Sequence, residues 1–418
     1  GVRGMGMAIA VGDCDHRDGR LRNTEQSVVA EVAMGGVALV IAPAAGAGDA
    51  LFSSGGGGNA GETVGSSLVH AGDSVTVVGS IELSPERRYT VEADEEAYWR
   101  VRTFDRYTGS AWVRSGSHRE DETRLSGPPG ENRTLEQTYT AKSTIATLPA
   151  AREPVEINGV PVSFQVLEGG EFEPSETLQP GESYTVESEV PVASSDELRE
   201  AGTEYPEQIE ERYTQLPTDT PDRVTRRTNR LTENTDTPYD TARVLEYWLR
   251  TEYNYSLDVE RPRGDVADAF LFEMDAGYCT YFATTMVTML RTQGIPARFT
   301  IGYTPGERVA DGEWVVRGYN SHAWVEVYFP EYGWIEFDPT PSDPRRATER
   351  RLLDADSEAE ADTPDQTLES LFAEERREVS DGTNDELEDP EIDIEGLPEV
   401  DSGADTDSTT DSLPVSVP

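Results

Sequence analysis

Cysteine and lysine are almost absent from this 418-residue chain, which holds two cysteines, Cys14 and Cys279, and a single lysine, Lys142. Histidine is nearly as scarce, at positions 16, 70, 118 and 322, so no clustered His/Cys set offers a zinc site. No Gly-rich loop follows a strand-like run, which removes the nucleotide-binding motifs; neither a metal nor an organic cofactor is expected. Basic residues are also few, 35 against 81 acidic ones, for a formal net charge of −46. Phosphate would be repelled by such a surface, which excludes nucleic acid as a partner.

The acidic excess continues through the segments expected to fold, beyond any one tail. Charge of one sign at this density self-repels in dilute buffer, so the composition predicts a chain that works in concentrated salt, where screening is short-ranged. An extreme halophile is the expected source. Diffuse acidity is not a coordination loop, and no calcium site is read from it.

Residues 32–48 form an uncharged run of 17 residues, the short end of what spans a bilayer. Arg3, Arg17, Arg20 and Arg22 precede it and acidic residues follow. The positive-inside tendency then puts residues after about 50 outside the cell. A cleaved signal peptide is the competing reading. With a span between them, Cys14 and Cys279 lie on opposite faces of the membrane, and Cys279 stays a free thiol.

The organisation that follows has five parts. Residues 1–50 are a flank containing the candidate span, 51–72 a Gly-rich linker, 73–195 a β-rich domain, 196–345 a second globular domain, and 346–418 an acidic, disordered tail with one short helix around Leu368, Leu371 and Phe372. In the β-rich part, runs such as Val75–Val78, Tyr89–Val91, Thr138–Thr140 and Val160–Val166 alternate with Gly, Pro and Asn turns, the pattern of a β-sandwich. Pro161 restricts the last run to an edge or a strand start. Trp99 and Trp112 are expected in the core.

Chemistry concentrates around Cys279. Phe282, Met286, Met289 and Leu290 recur at helical spacing and Gly294 supplies a stop, so Cys279 opens a helix. Free N–H groups and the positive end of the dipole favour a thiolate there, and can hold an oxyanion formed at an attacked carbonyl. His322 begins the strand-like run His-Ala-Trp-Val-Glu-Val-Tyr-Phe329; after Pro330-Glu-Tyr-Gly333, a second run, Trp334-Ile-Glu-Phe, leads to Asp338. Folded as a hairpin, the two runs bring Asp338 opposite or diagonal to His322. An aspartate beside an imidazole fixes its tautomer, and the imidazole takes the proton of a nucleophile. The apolar strand Ile295–Tyr303 links helix to hairpin.

Across these residues the chain resembles the transglutaminase-like superfamily. The resemblance rests on Gly277-Tyr-Cys-Thr-Tyr-Phe-Ala283, Met289-Leu-Arg-Thr-Gln-Gly-Ile-Pro-Ala-Arg298, Gly302-Tyr303, His322-Ala-Trp-Val-Glu-Val-Tyr328 and Gly333-Trp-Ile-Glu-Phe-Asp-Pro-Thr-Pro341, with spacings of 43 and 16 residues between Cys279, His322 and Asp338. It implies an α+β, papain-like core with Cys279 as nucleophile, His322 as general base and Asp338 as orienting carboxylate. Thr280 and Ser321 depart mildly from the usual residues. Tyr98-Trp-Arg-Val-Arg-Thr-Phe-Asp-Arg-Tyr-Thr-Gly-Ser-Ala-Trp112 is similar to the membrane-anchored TgpA-type branch. Upstream, helices are expected over 206–217 and 237–250, the second burying Val244, Leu245, Trp248 and Leu249.

The reading implied is a membrane-tethered, extracytoplasmic cysteine enzyme acting on amide bonds of a cell-envelope protein or peptide through a thioester, by transglutamination or hydrolysis. A non-catalytic envelope scaffold is the alternative. Tyr253, Asn254 and Tyr255 are candidates for a second oxyanion donor. Nothing in the chain specifies an oligomeric state.

Overall fold

Which strand pairs with which settles how this chain presents Cys279, His322 and Asp338. The computed structural model describes residues 72–116, 118–119 and 125–362. The candidate membrane run, nearly all of the Gly-rich linker and the expected helix near Leu368 lie outside them. No helix among the described residues is long and apolar enough to cross a membrane.

The N-terminal half is built of strands: β1 (Ser74–Thr76), β2 (Arg87–Ala93), β3 (Trp99–Phe104), β4 (Arg106–Tyr107), β5 (Ala111–Val113), β6 (His118–Arg119), β7 (Asn132–Ala141), β8 (Pro154–Asn158), β9 (Phe164–Leu167), β10 (Phe172–Pro174) and β11 (Ser183–Pro191). Helices then take over with α1 (Ser195–Glu200), α2 (Glu207–Tyr213), α3 (Asp222–Leu231) and α4 (Pro238–Glu252), followed by β12 (Asn254–Tyr255), α5 (Val266–Glu273), β13 (Ala276–Gly277) and α6 (Cys279–Thr292). The chain finishes with β14 (Ala297–Tyr303), β15 (Glu307–Ala310), β16 (Glu313–Arg317), a 3₁₀ turn (Gly318–Asn320), β17 (Ser321–Phe329), β18 (Gly333–Phe337) and α7 (Ser342–Asp362).

Two sheets dominate, and each borrows from the other half of the sequence. The four-stranded sheet runs β18-β17-β14-β3, all antiparallel, so β3 crosses into the C-terminal half with Trp99 opposite Tyr303 and Phe104 opposite Phe299. The six-stranded sheet runs β15-β16-β2-β7-β11-β8, so the β15–β16 hairpin makes the reverse crossing. Residue 195 thus ends the run of N-terminal strands without dividing the sheets, and all the described residues fall in one unit. A six-stranded sheet faced by β10-β9-β6 makes the sandwich-like part, over a core of Tyr89, Tyr139, Tyr184, Val186, Val166 and Phe172.

The second core surrounds α6, whose residues Cys279–Arg291 are all buried. It too draws on the N-terminal strands. Trp112 stacks on Phe299 at 5.1 Å and donates its Nε1–H to Thr284 Oγ1 of α6 at 2.9 Å. Trp99 and Trp112 are both fully buried, as their size and context predict, but in different cores.

Local chemistry explains the element ends. Helix α6 stops in a Schellman motif: Gly294 takes φ +71°, its N–H bonds Arg291 C=O, and Ile295 N–H bonds Leu290 C=O. Gly302 meets a different demand. A Cβ there would lie 2.1 Å from Trp99 C=O and 2.9 Å from the Trp324 ring, so only glycine lets β3 and β17 close on β14 at this point.

Three expectations are corrected. The chain does not become tail at residue 346, because α7 carries it in helical form to Asp362. Its Arg, Glu, Ala and Leu residues favour helix, and Arg345 pairs with Glu349 one turn on. The buried stripe of α4 is Thr241, Ala242, Leu245, Glu246 and Leu249, with Val244 and Trp248 half-buried at its flank. Within 160–166 the strand starts only at Phe164, three residues past Pro161.

Candidate active site

Cys279 is the first residue of α6, where the capping residue, Tyr278, offers no side-chain acceptor to the first turn. Tyr281 and Phe282 send their N–H groups to Tyr278 C=O, and the N–H groups of Cys279 and Thr280 head the helix. Cys279 is 3% exposed. Helix α6 packs on β17, the first strand of the hairpin, and on its sheet neighbour β14.

The hairpin forms in the expected register. Tyr328 pairs with Trp334 and Val325 with Phe337, which continues to Asp338 opposite Trp324 and diagonal to His322. The turn between them places Glu331 at φ +70° and Gly333 at φ +77°. His322 Nε2 lies 2.9 Å from Asp338 Oδ2. Nδ1 of the same ring is buried without a hydrogen-bond partner of ordinary geometry, and the Cys279 thiol acts on the ring's proton as a near neighbour.

Burial of the imidazole works against its charge, but Asp338, through its charge and hydrogen bond, and then Cys279 outweigh it and lift the His322 pKa to about 9. Asp338 moves the opposite way. Burial would raise it, yet the charge and hydrogen bond of His322, Arg345 and the Thr340 N–H hold the carboxyl well below its usual range. The pair is therefore an imidazolium and a carboxylate across the neutral range.

Several groups fix Asp338. Thr340 N–H donates to Oδ1 at 2.9 Å, and Tyr98 Oη–H donates to Oδ2 at 2.8 Å. Its backbone is clasped from α4, where Glu246 accepts the Asp338 N–H and Arg250 donates to the Asp338 C=O. Trp324 stacks beside His322 at 6.3 Å. A groove of about 770 Å³ runs past Tyr98 between α7 and the β14–β15 turn, with Thr304, Tyr319 and Arg345 in its walls. A second cavity, about 680 Å³, opens over Arg298 and Trp334 and touches none of the three expected residues.

Of the oxyanion candidates, Tyr253 spends its hydroxyl on Leu271 C=O at 3.0 Å, and Asn254 lies exposed. Tyr255 pairs with Gly277, two residues before Cys279. Burial, then Cys279, Glu349 and Asp338, keep its phenol protonated against the pull of Arg345.

Residues 225–339 match the transglutaminase-like superfamily, and residues 7–195 match the TgpA N-terminal domain. The chain joins a transglutaminase-like core to a TgpA-type N-terminal domain. The periplasmic domain of TgpA from Pseudomonas aeruginosa has the same fold, with a TM-score of 0.51 and 24% identity over 66% of this chain and 97% of that one. Among curated proteins, the uncharacterized protein YebA of Bacillus subtilis is 33% identical over 60% of this chain and 38% of its own length. A protein-glutamine gamma-glutamyltransferase of Pseudomonas aeruginosa is 37% identical over 29% of this chain and 19% of its own. The chain therefore spans well under two thirds of these curated relatives.

Around the transglutaminase-like core, the sequence left Tyr98, Trp324, Glu246, Arg250 and Arg345 without a role. One signal was available: Glu246 is a carboxylate inside the apolar stripe of α4, where a charge needs a partner. Tyr98 stands 240 residues from Asp338, and nothing local announces their contact.

Proposed function

We propose that the chain is an extracytoplasmic, membrane-tethered thiol enzyme that makes and breaks amide bonds through a thioester, with Cys279, His322 and Asp338 as its triad. With the proton already on His322, held as an imidazolium against Asp338, Cys279 attacks an amide carbonyl as its thiolate. The N–H groups of Cys279 and Thr280, with the Tyr255 hydroxyl, stabilise the oxyanion. His322 returns the proton to the leaving amine, the C–N bond breaks and the thioester remains. A second amine or water, deprotonated by His322, then attacks the thioester carbonyl and releases the thiolate. The observation that carries this reading is the 2.9 Å His322–Asp338 contact with Nδ1 left unpartnered beside a thiol at a helix start.

The name of the Pseudomonas relative, a glutamyltransferase, favours resolution by an amine. Exterior placement draws support from the arginines ahead of residues 32–48 and from the periplasmic origin of the matching solved domain. A cell-envelope protein or peptide is the substrate class this placement allows, and the net charge of −46 supports a salt-rich, halophilic setting. The test is intact-mass detection of an acyl-enzyme after exposure to a p-nitrophenyl ester in molar salt. The parent protein gains one acyl group and Cys279→Ala none; an equal gain in the variant sinks the assignment.

One observation favours a second reading, an envelope scaffold without catalysis: Cys279 and His322 are only 3% and 2% exposed. Thiol reactivity separates the two. Alkylation by iodoacetamide near pH 6 that disappears in His322→Ala supports the enzyme, whereas a thiol titrating near about 8.5 in both proteins supports the scaffold.

A further inference from the structure

We infer that Tyr98 is a positioning residue for this chemistry, so that the N-terminal half of the chain completes the active site as well as preceding it. The inference rests on the triad reading above. Tyr98 Oη–H and His322 Nε2 meet the same carboxylate oxygen, Oδ2 of Asp338, at 2.8 and 2.9 Å, while Oδ1 is held by the Thr340 N–H. Thr340 is local to Asp338 and fixes only one end of the carboxylate. The phenol fixes the other end from a different part of the chain.

The ring itself has little freedom. It stands edge-on to His322 at 5.5 Å and to Trp324 at 5.2 Å. The next residue, Trp99, is locked into the sheet opposite Tyr303 and donates its Nε1–H to Pro305 C=O at 3.1 Å. Burial and the neighbouring Asp338 push the phenol far above its usual pKa, so it donates throughout the working range and never competes as a base.

A neutral donor on Oδ2 spreads the carboxylate charge. It limits how strongly Asp338 holds the imidazolium proton that must pass to the leaving amine. Removing the hydroxyl turns the full charge onto His322: the imidazolium titrates higher, becomes a weaker acid, and acylation slows. A ring that merely filled space would leave the pH profile where it is.

The experiment measures Cys279 alkylation by iodoacetamide from pH 5 to 10 in molar salt, and the pre-steady-state acylation rate with p-nitrophenyl acetate, for the parent, Tyr98→Phe and His322→Ala. Tyr98→Phe is expected to acylate about fivefold more slowly at unchanged half-saturation, because only part of this charge-assisted hydrogen bond is felt at the imidazolium. Its upper pH limb should rise by about half a unit. Placing 3-fluorotyrosine at position 98, a stronger donor that keeps the ring and the fold, should lower that limb. Profiles that superimpose on the parent's, or that move the same way for both changes, overturn the inference. A parent thiol showing no His322-dependent reactivity near pH 6 overturns the triad reading, and this inference with it.

Discussion

Two ionic pairs sit four residues apart on β17 and on the same face of its sheet, and they behave in opposite ways. At the strand's start, His322 meets Asp338 at 2.9 Å. In its middle, Glu326, with no exposed side-chain surface, meets Arg298 at 2.5 Å and Arg100 at 3.4 Å. Both are buried, and burial penalises both. The difference is the cation. A guanidinium does not give up its proton in the working range, so Arg298 and Arg100 hold Glu326 ionised and the cluster is a fixed part of the sheet. An imidazole with a pKa lifted to about 9 still titrates in an accessible range, and its second nitrogen lies beside Cys279 without a hydrogen-bond partner of ordinary geometry. Similar scaffolding thus yields a strut or a switchable base according to one residue type.

The comparison breaks most sharply at His322. His322→Ala should cut acylation by at least about a thousandfold while the melting transition persists, because Asp338 keeps Tyr98, Thr340 and Arg345. Loss of fold in that variant would erase the distinction. Arg298→Ala should do the reverse, costing about 3–5 kcal/mol by stranding a buried Glu326, read from denaturant midpoints in molar salt. Activity per folded molecule should change far less.

Titration sharpens the contrast. His322 binds its proton more tightly folded than unfolded, so its contribution is fully present below about pH 6.5 and is lost as pH rises towards about 9. Asp338, depressed in the folded state, contributes above about pH 4 and loses that contribution as pH falls. Stability should fall by something on the order of 3 kcal/mol between pH 6.5 and 9 in the parent, and this slope should flatten in His322→Ala. Equal slopes would assign the titration elsewhere. The smallest effect belongs to an exposed pair: Asp311→Asn breaks the contact with Arg308, whose side chains are 101% and 61% exposed, and should leave the midpoint unmoved.

The site was legible where its contacts are local. A hairpin of fixed period brings Asp338 to His322 by counting residues, and Gly294 and the apolar stripe mark α6 with Cys279 at its head. Legibility ended where partners come from distant sequence. The pairing of β3 with β14 depends on complementary edges some two hundred residues apart, and the alternation in Trp-Arg-Val-Arg-Thr-Phe says strand without saying whose neighbour. For that reason Tyr98 and the crossing of the two halves were invisible. Helix α7 was hidden for another reason: its charged composition reads as solvated tail, and only its packing on β12 and the 3₁₀ turn shows otherwise.

The crossing of β3 also bears on folding. Its partner β14 is made long after it, and the Tyr98–Asp338 contact closes a loop of 240 residues. Contacts of such range incur their closure entropy before returning any stabilisation, and they form slowly. The phenol that braces Asp338 therefore finds its partner only after residue 338 has been made, and a partly made or partly unfolded chain holds Cys279 and His322 without that brace.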